Sequence, residues 1–266
     1  MVRRNIQYYK KRRELLTMMV LIFHKFLFKT FLISAFLFLI LLKTSIAESF
    51  LFSLSTKGIK FGSFEMSAVE NGNRYNISSN FESTGILGLF TKVKVESGVH
   101  GKIENKKNNN YYPIEVLSKW KSLFNQKQSS IKYKNKKIIH YEVLPFPREN
   151  KFALQISELD NTIDPLTVTY WLLKKRNVVN ICKGEKLVSE GQTIIKVIFL
   201  EKKITINKIN CKGEFQFIKG FDTNKYKKKN YKFNLYYKKN SKDKQIFSVT
   251  NLTFNTRLGL IEANRL

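Results

Sequence analysis

Between residues 58 and 254, apolar side chains recur at every second position in short runs, and turn residues separate the runs. Lys92-Val93-Lys94-Val95-Glu96-Ser97-Gly98-Val99 is the clearest case. A period of two puts one strand face in a core and the other in water. Gly58 to Val69 carries Phe64, Met66 and Ala68 on one face, and Arg74 to Ser83 returns after Glu70-Asn71-Gly72-Asn73. Asn-Gly in such a turn predicts positive φ at both central positions. Ile103 falls in a further segment ending at Asn108-Asn109-Asn110, followed by Tyr111 to Trp120 with Pro113 near its start. Gln128 to Tyr133 and Lys137 to Val143 flank a turn at Asn135. Strands are also expected at Val178–Cys182, Thr193–Leu200, Lys203–Ile209, Cys211–Ile218, Tyr231–Tyr237 and Ile246–Phe254. The fold class that follows is mostly β: an antiparallel, strongly curved sheet or open barrel.

Two segments break this rhythm. Asp164 to Arg176 reads as a helix, with Asp164 as cap, Pro165 in the first turn and Lys174, Lys175 and Arg176 at the negative end of the dipole. Its apolar residues run almost all the way round, so it is expected to be buried on the concave side of the sheet. There it completes the core or lines a lipid-sized cavity. Gly85-Ile86-Leu87-Gly88-Leu89-Phe90 reads as a loop of unusual apolarity, either a membrane-touching tip or lid, or a bend with its side chains in the core.

Upstream of the strands, Phe31 to Leu42 is uncharged and apolar, Ser45-Ile46-Ala47 has the small-x-small form of a cleavage exit, and basic residues precede both. This is the pattern of an export signal cut after Ala47. Twelve apolar residues are short of the roughly 20 that span a bilayer, and extension back to Val20 brings in Lys25 and Lys29. Retention as an N-terminal anchor is the other reading, and in both the positive charges hold the N-terminus inside. Met18 or Met19 as the start gives a more ordinary leader, and no cysteine follows the apolar run to take a lipid. The division is residues 1–47 as signal peptide or anchor and 48–266 as one β-rich periplasmic domain.

The chain carries a formal charge of +28; nine of its 48 Lys+Arg and one of its 20 Asp+Glu lie in residues 1–47, which leaves +20 beyond them. Such a balance suits an anionic partner: membrane headgroups, acidic glycan or nucleic acid. The lysines are spread singly over alternating positions among many asparagines and isoleucines, as compositional drift produces. Export and the lack of a binding motif set nucleic acid aside and leave membrane-surface association open. Cys182 and Cys211 are the two cysteines. In an oxidising compartment the pair invites a disulfide worth about 3–4 kcal/mol, with two separate buried thiols as the alternative. Their spacing is poor for metal, and no cofactor motif or hydrolase motif is present. Mature histidines are His100 and His140, on separate strands, so no nucleophile, base and orienting group can be assembled and an enzyme is not expected.

Several stretches have a familial look. Cys182-Lys183-Gly184-Glu185-Lys186, Glu190-Gly191-Gln192, and Asn210-Cys211 through Gly220-Phe221 place one cysteine before an extended strand and a second at the opening of a strand that ends in Gly-Phe. With Asp164-Pro165-Leu166, Thr84-Gly85 and Tyr112-Pro113, the chain after residue 50 resembles the exported bacterial family catalogued as domain of unknown function 3108 (DUF3108). It departs at Ser189-Glu190-Gly191, where that family often has Asp-Gly-Arg/Lys. The resemblance implies an exported β-rich protein of unknown function, similar in outline to open-barrel carriers of lipids or lipoproteins; that is an analogy of fold. Two functions follow as expectations. One is non-enzymatic binding of a lipid or other apolar ligand against the helix, lined by Tyr170, Trp171, Leu87 and Phe90. The other is a structural or interaction module of the envelope with a filled core, its protein partners unspecified.

Overall fold

The computed structural model describes residues 46–266 except 106–109, 146–149, 223–229, 242, 244 and 257–258. The apolar run 31–42 lies outside the described residues. The strands are β1 (Ile46–Thr56), β2 (Ile59–Asn71), β3 (Arg74–Ser83), β4 (Lys94–Asn105), β5 (Asn110–Lys121), β6 (Gln126–Lys134) and β7 (Lys137–Leu144), then β8 (Arg176–Asn177), β9 (Glu185–Val188), β10 (Ile194–Ile204), β11 (Lys208–Lys219), β12 (Asn230–Lys239), β13 (Ile246–Thr256) and β14 (Gly259–Arg265). Helix α1 (Gly85–Thr91) follows β3, and α2 (Pro165–Leu173) lies between β7 and β8.

All strands form one antiparallel sheet in the order β7-β6-β5-β4-β3-β2-β1-β14-β13-β12-β11-β10-β9, with the two-residue β8 on β13. Along that order every neighbour is also a sequence neighbour except β1 and β14, which pair in the middle of the sheet; the β8–β13 pair off it is likewise remote in sequence. The sheet stays open because the chain leaves it after β7 to place α2 inside. That departing segment stitches the two edges without a ladder between them. Asn161 N donates to Lys136 O beside β7, while Ile163 N donates to Leu187 O and Ser189 N to Ile163 O on β9, each at 2.9 Å.

Helix α2 forms as its sequence dictates. Asp164 accepts from Leu166 N and Thr167 N, both at 2.9 Å, which satisfies two amides that have no partner within the helix. Seven of the nine helical residues are buried. The sheet wraps them from both sides: the Phe50 ring of β1 lies 6.3 Å from that of Tyr170, and the Phe199 ring of β10 lies 5.2 Å from that of Trp171. The Tyr237 hydroxyl of β12 donates to Leu172 O at 2.9 Å. The helix ends at Leu173, three residues earlier than the basic run predicts, because Lys174 turns inward and Arg176 enters β8. Arg176 still caps the dipole, as its buried guanidinium donates to Trp171 O.

Other boundaries shift for local reasons. Ile103 belongs to β4 itself, paired with Tyr111, so the two segments expected there are one strand. The β2–β3 turn has Gly72 and Asn73 at its centre, and of the two only Gly72 has positive φ (59°). Glycine first is the II′ pattern, in place of the one expected from Asn-Gly. Val178–Cys182 contains a 3-10 turn, Val178–Asn180, instead of a strand, because Asn177 caps it by accepting from Val179 N. Lys203 continues β10 and Lys208 opens β11, so the strand expected at Lys203–Ile209 is a hairpin turn. The 85–90 segment is helical, and β1, β9 and β14 join the strands expected. Pro113 is tolerated in β5 because the ladder bulges opposite it at His100/Gly101. Gly101 must lack a Cβ there, since one would collide with the Tyr112 carbonyl and the Tyr75 ring.

Cys182 and Cys211 are joined as a disulfide, with Cα atoms 5.2 Å apart and a sequence separation of 29. The bond ties the loop after α2 to β11, where Cys211 is fully buried. The double variant Cys182→Ala/Cys211→Ala is expected to lose about 2–4 kcal/mol of stability in urea unfolding. Native protein labelled under denaturing conditions without reductant is expected to show no free thiol.

Candidate functional site

Helix α2 divides the interior of the sheet into a filled side and a hollow one. On the filled side Tyr170 and Trp171 are 1% and 2% exposed. On the hollow side Val168, Thr169, Leu172 and Leu173 border a cavity of about 580 Å³. The facing wall is the inward phase of the strands: Phe52 and Leu54 of β1, Phe64 of β2, and Phe215 and Phe217 of β11. Leu252 and Phe254 of β13, Ala263 of β14, Ile195 of β10 and Tyr231 of β12 complete it. Polar groups are few and sit towards the mouth, where Asn255 and Thr256 end β13. The mouth lies at the end of the sheet carrying the β1–β2, β5–β6 and β13–β14 turns. A concave, mostly apolar site of this size suits a small apolar ligand.

The opposite end is closed by a polar cluster. Glu70 continues the inward phase of Phe64, Met66 and Ala68 on β2 and is 5% exposed. Its Oε1 accepts from the Tyr111 hydroxyl at 2.5 Å, the Tyr170 hydroxyl at 2.9 Å and Lys174 Nζ at 2.9 Å. Lys174 also donates to the Tyr111 hydroxyl. Burial pushes the Glu70 carboxyl up, but the Tyr111 hydrogen bond and the Lys174 charge outweigh it and hold the group below its ordinary range. Burial, reinforced by the neighbouring carboxylates, pushes the Tyr111 and Tyr170 hydroxyls far up, so both stay neutral donors. With three protein donors on one carboxylate oxygen, this cluster anchors α2.

Three other carboxyls shift the opposite way. Burial raises Asp164, against the hydrogen bonds of Thr167 and Leu166; it also raises Glu48 beside Glu70, and Glu190 against the Thr193 hydrogen bond. The folded state holds their protons more tightly than the unfolded chain, so stability is gained as pH falls through their raised folded values towards about 4. Glu70 has the reverse sign: its contribution is full above about 4.3 and is lost as pH falls through its lowered folded value. Urea unfolding is therefore expected to show greater stability at pH 5 than at pH 7. Asp164→Asn is expected to reduce the gain between pH 7 and 5.

Of the residues expected to line a ligand site, Tyr170 lies in the polar cluster and Trp171 packs on Phe199, and neither borders the cavity. Phe90 is 71% exposed on α1, and the Leu87 side chain lies outside the described residues. The cavity face of the same helix was missed because a helix apolar all round does not say which side finds a partner. Ala47, the expected cleavage point, pairs with Val69 inside β1, so a cut there leaves β1 beginning at Glu48. His100 and His140 remain on separate strands, β4 and β7. Among the described residues no group of three or more His, Cys, Asp or Glu is placed to hold a metal ion, and no helix is long and apolar enough to cross a membrane. Ser189-Glu190-Gly191 builds the β9–β10 turn: Ser189 Oγ accepts from Gly191 N at 3.0 Å, and Gly191, at φ 108°, packs on the Tyr141 ring.

Fold and site together define a mostly β protein with an open antiparallel sheet around one buried helix and an apolar hollow beside it. No family model matches the chain, and no curated protein matches it. Among solved structures it is similar to a beta-barrel-like protein of domain of unknown function DUF1849 from Brucella abortus, at 10% sequence identity and TM-score 0.43, over 83% of this chain and 96% of that one.

Proposed function

We propose that this is an exported periplasmic protein that binds an apolar or amphipathic, lipid-like ligand in the hollow beside α2. The cavity of about 580 Å³, walled by aliphatic and aromatic side chains and open at one end, is the observation that carries this reading. A preformed apolar volume of this size favours occupation by an apolar molecule, since its walls lack partner atoms when it is empty. The disulfide agrees with an oxidising compartment, as does the leader with its small-x-small exit at Ala47. The resemblance to DUF3108 belongs to the same proposal and rests on the cysteine and Gly-Phe stretches. Protein purified from the periplasm without detergent, extracted with organic solvent and read by mass spectrometry, is expected to release a stoichiometric lipid. If it releases none, and the ligand-free protein fails to enhance 1-N-phenylnaphthylamine fluorescence, the envelope-module reading takes its place.

A further inference from the structure

Helix α1 and the β5–β6 turn form one tip at the mouth end of the sheet. Leu123 N donates to Thr91 O at 3.2 Å, and Thr84 N donates to Phe61 O of β2 at 2.8 Å. From this tip Phe90 is 71% exposed, Phe124 89% and Leu123 45%. Side chains of this size held in water at a shared tip are unusual for a surface with no partner. The flanking Lys92, Lys121 and Lys127 are all exposed, as is Lys57 in the β1–β2 turn at the same end. The chain has no acidic residue between Glu82 and Glu96, nor between Glu115 and Glu142. An apolar point with a lysine collar is complementary to a bilayer: the rings enter the headgroup boundary and the ammonium groups meet anionic lipid. A second copy of this chain is a poor fit, since a symmetric contact would set the collar against itself.

We infer that Phe90, Leu123 and Phe124 are a docking tip for anionic phospholipid membranes, and that docking turns the cavity mouth towards the bilayer. The inference deepens the ligand reading and is tested apart from it. The full chain carrying Phe124→Trp, with the unsubstituted protein subtracted as background, is mixed with vesicles of phosphatidylcholine containing about 30% phosphatidylglycerol. The new indole is expected to shift its emission to the blue and to be quenched by brominated acyl chains. Both effects are expected to weaken in pure phosphatidylcholine and in about 0.5 M salt, which screens the collar. Because the reporter sits on the tip, a membrane-bound leader does not mimic the result. An unshifted, unquenched indole overturns the inference, as does a shift that appears without vesicles and grows with protein concentration, the mark of self-association. Binding of 1-N-phenylnaphthylamine in vesicle-free solution is measured alongside. If the probe binds and the tip stays out of the membrane, the docking inference falls and the cavity reading stands.

Discussion

Lys174→Met is expected to destabilise the fold by about 3–5 kcal/mol. The substitution keeps a long apolar stem but removes the cation that balances Glu70, whose carboxylate is 5% exposed. Tyr111 and Tyr170 still donate to that carboxylate, but neutral hydroxyls do not cancel its charge. An uncompensated buried charge costs more than the pair was worth, because desolvation of the remaining ion is no longer offset. Glu70→Gln in the same chain keeps an amide oxygen for the two tyrosines and removes the charge. The double variant is therefore expected to recover most of the loss, and urea unfolding of the two singles and the double measures the coupling. A Lys174→Met protein within about 1 kcal/mol of the parent would show that the cluster does not hold the helix as described.

The second large effect is on ligand binding. Val168 on α2 and Ala263 on β14 both border the cavity, and both are nearly buried. Val168→Trp with Ala263→Phe adds two rings to the hollow. The expected result is at least about a tenfold loss of 1-N-phenylnaphthylamine affinity, equivalent to about 1.4 kcal/mol. Overpacking is expected to alter stability by no more than about 1–3 kcal/mol, since the added atoms enter empty space. Phe90→Ser, on the exposed tip and away from the cavity wall, is the control and is expected to leave probe affinity unchanged. Unchanged affinity in the filled variant would place the probe elsewhere on the protein and remove the cavity as the site.

Much of the architecture was legible because strands announce themselves locally. Period-two runs from Phe64 to Ala68 and from Val93 to Val99 mark half-buried strands whatever lies opposite them. Asp164-Pro165 marked the start of α2 equally well, because cap and first-turn chemistry act within three residues. The same alternation that places Met66 and Ala68 inward also places Glu70 inward, so one member of the polar cluster could have been read in advance. Its partners could not, since Tyr111 and Lys174 reach it from 41 and 104 residues away. Boundaries were less legible. The end of α2 is set by Lys174 turning to a carboxylate on β2, and the 85–91 helix starts where Thr84 N donates to Phe61 O of β2.

The amino-acid sequence alone determined a chain of antiparallel strands, one helix too apolar to face water, and a cysteine pair able to join. These follow from side-chain periodicity, capping and composition, which operate between near neighbours. The tertiary structure decided that β1 meets β14, that the sheet remains open where α2 leaves it, and which helix face is packed. Tyr170 and Trp171 found partners on β1, β5 and β10, while Val168 and Leu172 faced strands too distant to fill the gap. A cavity is a shortfall of volume between surfaces remote in sequence, so it comes into being only when those surfaces are brought together.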